Sequence, residues 1–354
     1  MMNWVCVWTI VGGLILWLPS GAGGSNCQVE TSDPGSGVGL VRHLSVDCTE
    51  QEREARAVDA VQLLQAFREG KGIDLAGVVI RGDLSLDLLP VGRLPPELEG
   101  AKDLQGFEVR LIPGSMKIVN SVVRGTIRYG STQGLLVIQG PVSFNGTRFE
   151  QVVDLSRSVF LQPVTLSGAQ FLRESYFVQG RFLRGLYAEK TMFGPHTRFH
   201  RSVFQGPVIF RQSRFNGLAE FLEVTFEKDA DLSRSYFTLG TGFSGSRFQG
   251  LADFSGATFS KETFFTFTLF ERDADFRGAT FRSTADFSDA SFKGLDDFST
   301  AQFDKSPEFT RSVRSSTGPP PRGGEGRTVP YMIAISILTL IALVIVYVIR
   351  ARSR

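Results

Sequence analysis

The sequence predicts an all-β solenoid, with very short strands wound into coils of four faces. Three observations predict it. First, large apolar residues recur at steps of alternately five and six from Phe144 to Phe309: of 31 such positions 27 are Phe, three are Leu (Leu155, Leu166, Leu232) and one is Ala188. Second, the residue two before each of these is mostly Ala, Ser, Thr, Gly or Val. Third, turn formers follow the large residue, as in FSG, FNG, FRG and FSD.

A helix would place apolar residues three and four apart, and a long strand would alternate strictly. A large inward residue with a small one two before it instead describes a very short strand closed by a turn. Only Phe67, Phe107, Phe264 and Phe267 lie off the ladder. At Ala188 the large residue moves to Leu186, two before, which conserves local volume as a close-packed interior requires. The repeat unit is thus eleven residues in two parts, and a fixed internal period marks a repeat architecture. A coil of 22 residues has four faces and room for opposed Phe rows. The segment then makes roughly eight coils and a rod of about 35–40 Å.

The best units, ADFSG-ATF (252–259), ADFRG-ATF (274–281) and ADFSD-ASF (285–292), resemble the pentapeptide-repeat family and its A-(D/N)-(L/F)-x-x motif. The resemblance covers about residues 141–310 and departs in adding a sixth residue to alternate units. It implies a right-handed quadrilateral β-helix with the central Leu or Phe and the residue two before it pointing inward. It implies little about function, because such repeats serve as scaffolds.

In chain order, residues 1–24 read as a signal peptide: an apolar run from Trp4 to Leu18, followed by Ser20, Gly21 and Ala22. Residues 25–72 form an N-terminal cap with a helix over 49–70, opened by a Thr49/Glu52 capping box and stopped by Gly70 and Gly72. Its apolar stripe of Val58, Val61, Leu63, Leu64 and Phe67 covers the open end of the β-helix, which a solenoid needs in order to stay soluble. Residues 73–140 hold irregular first coils and a Pro- and Gly-rich loop, 88–114, of a length that is often functional but with no chemistry in it, so a side flap is an equal reading. The β-helix fills 141–310, and 311–328 is a flexible linker. Residues 329–349 contain no charge and are long enough for a transmembrane helix. Arg350, Arg352 and Arg354 follow in the tail 350–354, which is expected to be cytoplasmic. The repeat domain is therefore expected outside the cytoplasm, where a disulfide between Cys27 and Cys48 is permitted. The rival topology is a tail anchor with a cytosolic repeat.

The chain of 354 residues is 42 % apolar with net charge +2, which excludes a disordered or strongly basic protein. No phosphate loop, nucleophile elbow or Cys–His pairing is present, so the reading is non-enzymatic with no cofactor. His196 and His200 have i, i+4 spacing but flank Phe199 near a corner, without a nearby Cys or carboxylate, and read as surface; His43 lies outside the ladder. Asp231, Asp253, Asp275 and Asp297 recur every 22 residues and form an outward column. They are weak candidates for a Ca²⁺ or partner strip, the plainer reading being a preferred residue bonding to local backbone.

Phe264 sits at an outward position and Phe267 off the ladder, which makes them partner-contact candidates, the equal alternative being that a loop or the stalk covers them. Asp296 takes a normally inward position, and with Pro307 signals a ladder loosening toward its lower end. Residues 141–220 carry ten Lys/Arg and five Asp/Glu, whereas 221–310 carry nine and fifteen. Some soluble cytosolic members of the family mimic DNA with an acidic surface and inhibit topoisomerase; the near-neutral repeat here argues against that, and no nucleic-acid partner is expected. The expected protein is a single-span membrane scaffold that binds or spaces an unknown protein or envelope partner. The alternative is a regulator or inhibitor of a specific protein target.

Overall fold

The computed structural model describes residues 27–30, 37–131 and 133–315. The expected signal peptide, the linker from 316 on, the transmembrane helix and the tail lie outside the described residues. Among the described residues no helix is long and apolar enough to cross a membrane.

The chain winds through four sheets, one per face. The first face carries Val142–Ser143, the second Arg148–Phe149, the third Val153–Asp154 and the fourth Ser158–Phe160. Each pairs in parallel with its counterpart 22 residues on, as Val142 with Val164, Arg148 with Gln170, Val153 with Ser175 and Val159 with Arg181. The first-face sheet has 12 strands, of which the uppermost, Val29–Glu30, is antiparallel, so eleven coils stack. At the strand spacing of β structure the solenoid is about 50 Å long. The Phe ladder supplies its lower coils, and the 73–140 segment adds coils above them in the same sheets.

Every ladder residue from Phe144 to Phe303 is buried. On the second face Phe149, Phe171, Phe193, Phe215, Phe237, Phe259, Phe281 and Phe303 form one column, ring centroids 4.7–5.4 Å apart and planes within 9°. The fourth face carries a second all-Phe column at 4.5–5.2 Å. Coil spacing and comfortable ring stacking are nearly the same distance, so backbone pairing and aromatic packing reinforce each other. The residue two before the ladder closes the polar accounting on these faces. Thr191 donates to the Leu166 carbonyl at 2.7 Å, Ser202 to Phe177 at 2.6 Å and Ser235 to Phe210 at 2.7 Å.

The five–six alternation has a backbone cause. Five-residue steps follow the first and third faces, and there the residue two past the ladder is left-handed. It is Gly at 146, 168, 245, 256 and 278, and a non-glycine with φ 54–58° at Arg157, Gln179, Lys190, Arg201, Gln212, Glu223, Arg234, Phe267, Asp289 and Arg311. Within the ladder only Thr300 breaks this pattern, and among its six-residue corners only Gly185 has positive φ.

Both ends differ from expectation. The helix expected over 49–70 is two helices, α1 (Glu50–Ala55) and α2 (Ala60–Arg68), separated by a strand, Val58–Asp59. Fully buried Val58 pairs with Ile80 on the second face, and Asp59 with Gln62 forms a second capping box beside the expected one at Thr49. The helix α2 buries Leu63, Leu64 and Phe67 in the solenoid core. At the lower end the solenoid runs to 315 rather than stopping at 310. Ser291 bridges to Val313, and the Arg314 guanidinium lies 5.6 Å from the Phe298 ring centroid and 5.0 Å from that of Phe309 while pairing with buried Asp296. The inward Asp296 is therefore part of a closure, not of a loosened ladder. Between the ends, the loop over 86–107 lies on the fourth face, where Leu98 and Leu104 pack with Val109, Leu135, Val137, Val159 and Leu161 in a second apolar cluster.

Candidate functional site

The third face presents an outward column one residue before the ladder: Tyr176, Arg198, Glu220, Gly242, Phe264 and Asp286. A parallel column along the next corner reads Arg201, Glu223, Gly245, Phe267 and Asp289. The two off-ladder phenylalanines of the repeat thus share one coil, directly below a coil whose outward and corner positions are glycine. That coil reads LGTGFSG over 239–245, with Gly240 contributing a third bare position.

The result is a glycine-floored apolar patch. Phe264 is 41 % exposed, Phe267 67 %, Leu218 and Leu239 each 43 %. Leu222 leans over Gly242, where a Cβ would come within 2.8 Å of its Cδ2. Phe267 takes the left-handed φ, 56° here, that the winding imposes on the other five-residue corners, so its backbone is ordinary for the repeat and its exposure is what sets it apart.

Charged pairs rim the patch. Above it, Glu220 lies 2.7 Å from Arg198 Nε and 3.2 Å from His196 Nε2, and Arg198 sits 5.6 Å from the Tyr176 ring centroid. Glu223 lies 2.9 Å from Arg201 Nε and 3.6 Å from His200 Nε2, and the Arg201 hydrogen bond holds its carboxyl below the usual range. The two histidines therefore do have carboxylate neighbours. These come from the next coil, 23 and 24 residues away in sequence, which spacing within one unit does not reveal. Below the patch Asp289 pairs with Arg311 at 2.5 Å.

The Asp column lies on the first face. Each carboxylate accepts the backbone N–H two residues on: Asp231 from Ser233, Asp253 from Ser255, Asp275 from Arg277 and Asp297 from Ser299, at 2.8–2.9 Å. Arg211 lies 3.0 Å from Asp231, and Arg277 pairs with Asp275 and lies 3.6 Å from Asp297. Burial alone would raise the Asp275 carboxyl, but the Arg277 hydrogen bonds outweigh it and lower it. Like charges in register are thus offset by turn bonds and arginines. Among the described residues no group of three or more His, Cys, Asp and Glu is placed to hold a metal. Cys27 and Cys48 are joined by a disulfide at the top of the solenoid, S–S 2.04 Å.

The glycine floor and its leucine rim are absent from the residues singled out by sequence. The signal was present: aligned at a period of 22, positions 242 and 245 are glycine where neighbouring coils carry charged or aromatic residues.

A family model described as pentapeptide repeats (9 copies) matches residues 196–235. That segment lies within the four-faced solenoid, and the repeat continues in the same register on both sides of it. Match and architecture together support a pentapeptide-repeat protein. No curated protein and no solved structure matches the chain.

Proposed function

We propose that the chain is a non-enzymatic binding scaffold, held to a membrane by residues 329–349 and presenting its solenoid outside the cytoplasm. Its partner is a protein that docks on the third face across Phe264 and Phe267. One observation carries this reading. A regularly wound rod keeps two phenylalanines, Phe264 and Phe267, exposed on one coil next to a floor of glycines. Exposed aromatics beside a shallow depression are what protein contacts use as anchors.

The test is photo-crosslinking in intact cells, with a photoreactive phenylalanine at position 264 or 267 and, as a control, at Thr225 on the fourth face. A partner protein captured from 264 and 267 but not from 225, and lost on Phe267→Glu when the probe is at 264, supports the reading. Equal capture from all three positions sinks it. Labelling of the same cells with an impermeant protease tests the topology separately: a protected solenoid would place it in the cytosol.

A further inference from the structure

We propose that the cleft between the 86–107 flap and the fourth face binds a small organic anion, one acidic group carried on an apolar body. The cleft has a volume of about 320 Å³, within the range of small-molecule sites. Its apolar walls are Leu104 and Phe107 from the flap and Leu135 and Val203 from the solenoid. Three arginines, Arg157, Arg181 and Arg201, line it with a single carboxylate, Asp103; Arg181 pairs with Asp103 and Arg201 with Glu223 beside the lining, so the surroundings stay basic by one charge.

The walls are built rather than incidental. The flap is anchored by Leu98 and Leu104 in their buried cluster, by the antiparallel pairing of Val91 with Arg110, and by the hydrogen bond from Arg110 to the Leu89 carbonyl. The arginines are ordered as well. Arg157 and Arg201 occupy the same corner two coils apart, about 10 Å along the rod, with Gln179 between them. Gln179 Oε1 accepts from Arg157 Nε at 3.0 Å, and Arg201 is held by Glu223 of the next coil at 2.9 Å. Arg181 already binds a carboxylate in the cleft, that of Asp103 on the flap. At Gly134 a side chain would collide with the buried Tyr129 hydroxyl and Ser131, so the glycine lets the strand pack against them.

The chemistry selects the ligand class. Guanidinium forks match carboxylate and phosphate oxygens, and a concave site with apolar walls strengthens that attraction. A bare inorganic anion would leave the four apolar residues unused, and an uncharged apolar molecule would not engage the guanidinium groups beside them.

Isothermal titration of the purified full-length chain with 1-naphthyl phosphate tests this, with 1-naphthol and inorganic phosphate as comparison ligands. One site is expected, with 1-naphthyl phosphate at least tenfold tighter than either comparison ligand. Arg157→Met and Arg201→Met should each weaken it tenfold or more, and Arg247→Gln, lower on the same face, should leave it unchanged. Melting curves of the variants show that each is folded. Equal affinity for naphthol, equal affinity for phosphate, no binding at millimolar probe, or indifference to both arginine changes would each overturn the proposal.

Discussion

At position 188 the ladder loses its large side chain and Leu186, two residues before, supplies one; both are fully buried. The swap is a local volume exchange, so its parts should not be additive. Leu186→Ala alone leaves a cavity and is expected to cost about 2–5 kcal/mol. Ala188→Phe alone overpacks the same space and costs about 1–3 kcal/mol. The double variant restores the arrangement used at Ala252 and Phe254, and chemical denaturation should place it within roughly 1.5 kcal/mol of the parent. Additive losses would show that the first face is moulded around Leu186 alone. Phe267 gives the opposite case at the same scale. Its left-handed backbone is costly for an L-residue and free for glycine, by about 1–2 kcal/mol. Phe267→Gly is therefore expected to keep or raise Tm while losing the partner contact, whereas Phe265→Ala, two residues earlier in the core, costs about 3–5 kcal/mol. A clear fall in Tm for Phe267→Gly would mean the ring contributes to the fold itself.

The elements that end the solenoid show how far a sequence can be read. The ladder, its 22-residue coil and the Thr49 capping box are legible because each is a local or periodic pattern. The split between α1 and α2 is not, since Val58 belongs to a strand only by virtue of Ile80, whose partnership is set by tertiary pairing. Nor is the closure by Arg314, which sits in a Ser- and Pro-rich stretch and acts on residues 5 and 16 positions away. Removing one partner of a buried charge pair typically costs about 3–5 kcal/mol, and replacing both by apolar groups costs less. Arg314→Ala should accordingly strip hydrogen-exchange protection from the coil around Phe298 and Phe303 while leaving coils above Phe276 protected, and Asp296→Ala with Arg314→Met should recover part of it. At the upper end three successive first-face strands are tied through one carboxylate: His43 Nε2 lies 2.9 Å and Lys117 Nζ 3.0 Å from that of Asp74. Burial would raise that carboxyl, but the bonds from His43 and Lys117 prevail and lower it. A lowered carboxylate stabilises the fold fully above its unfolded pKa, near 3.9, and loses that contribution as pH falls through the folded value. Asp74→Asn should thus melt below the parent at neutral pH, and the two Tm curves should converge as pH falls below the lowered, folded value.

Taken whole, the molecule has a hidden two-fold character in its winding. First and third faces share the five-residue step and the left-handed corner, and second and fourth share the six-residue step. A deletion of eleven residues therefore moves everything below it by two faces without misplacing a single left-handed corner. Deleting 205–215 brings Phe221 six residues after Phe204, the spacing that Phe210 had. The variant should unfold cooperatively with a Tm close to the parent's. Deleting only 205–210 brings Phe215 five residues after Phe204, where six are needed, and sends Glu223 and Phe267 to corners that are not left-handed; cooperative unfolding should be lost. The eleven-residue deletion also carries Leu218, Gly242, Phe264 and Phe267 to the first face while the flap and its arginines stay where they are. If the partner reads the patch alone, crosslinking from position 264 survives this half-turn. If it also grips the flap side of the rod, crosslinking disappears although the fold does not. The same variant thus separates a local contact from a partner that spans the rod.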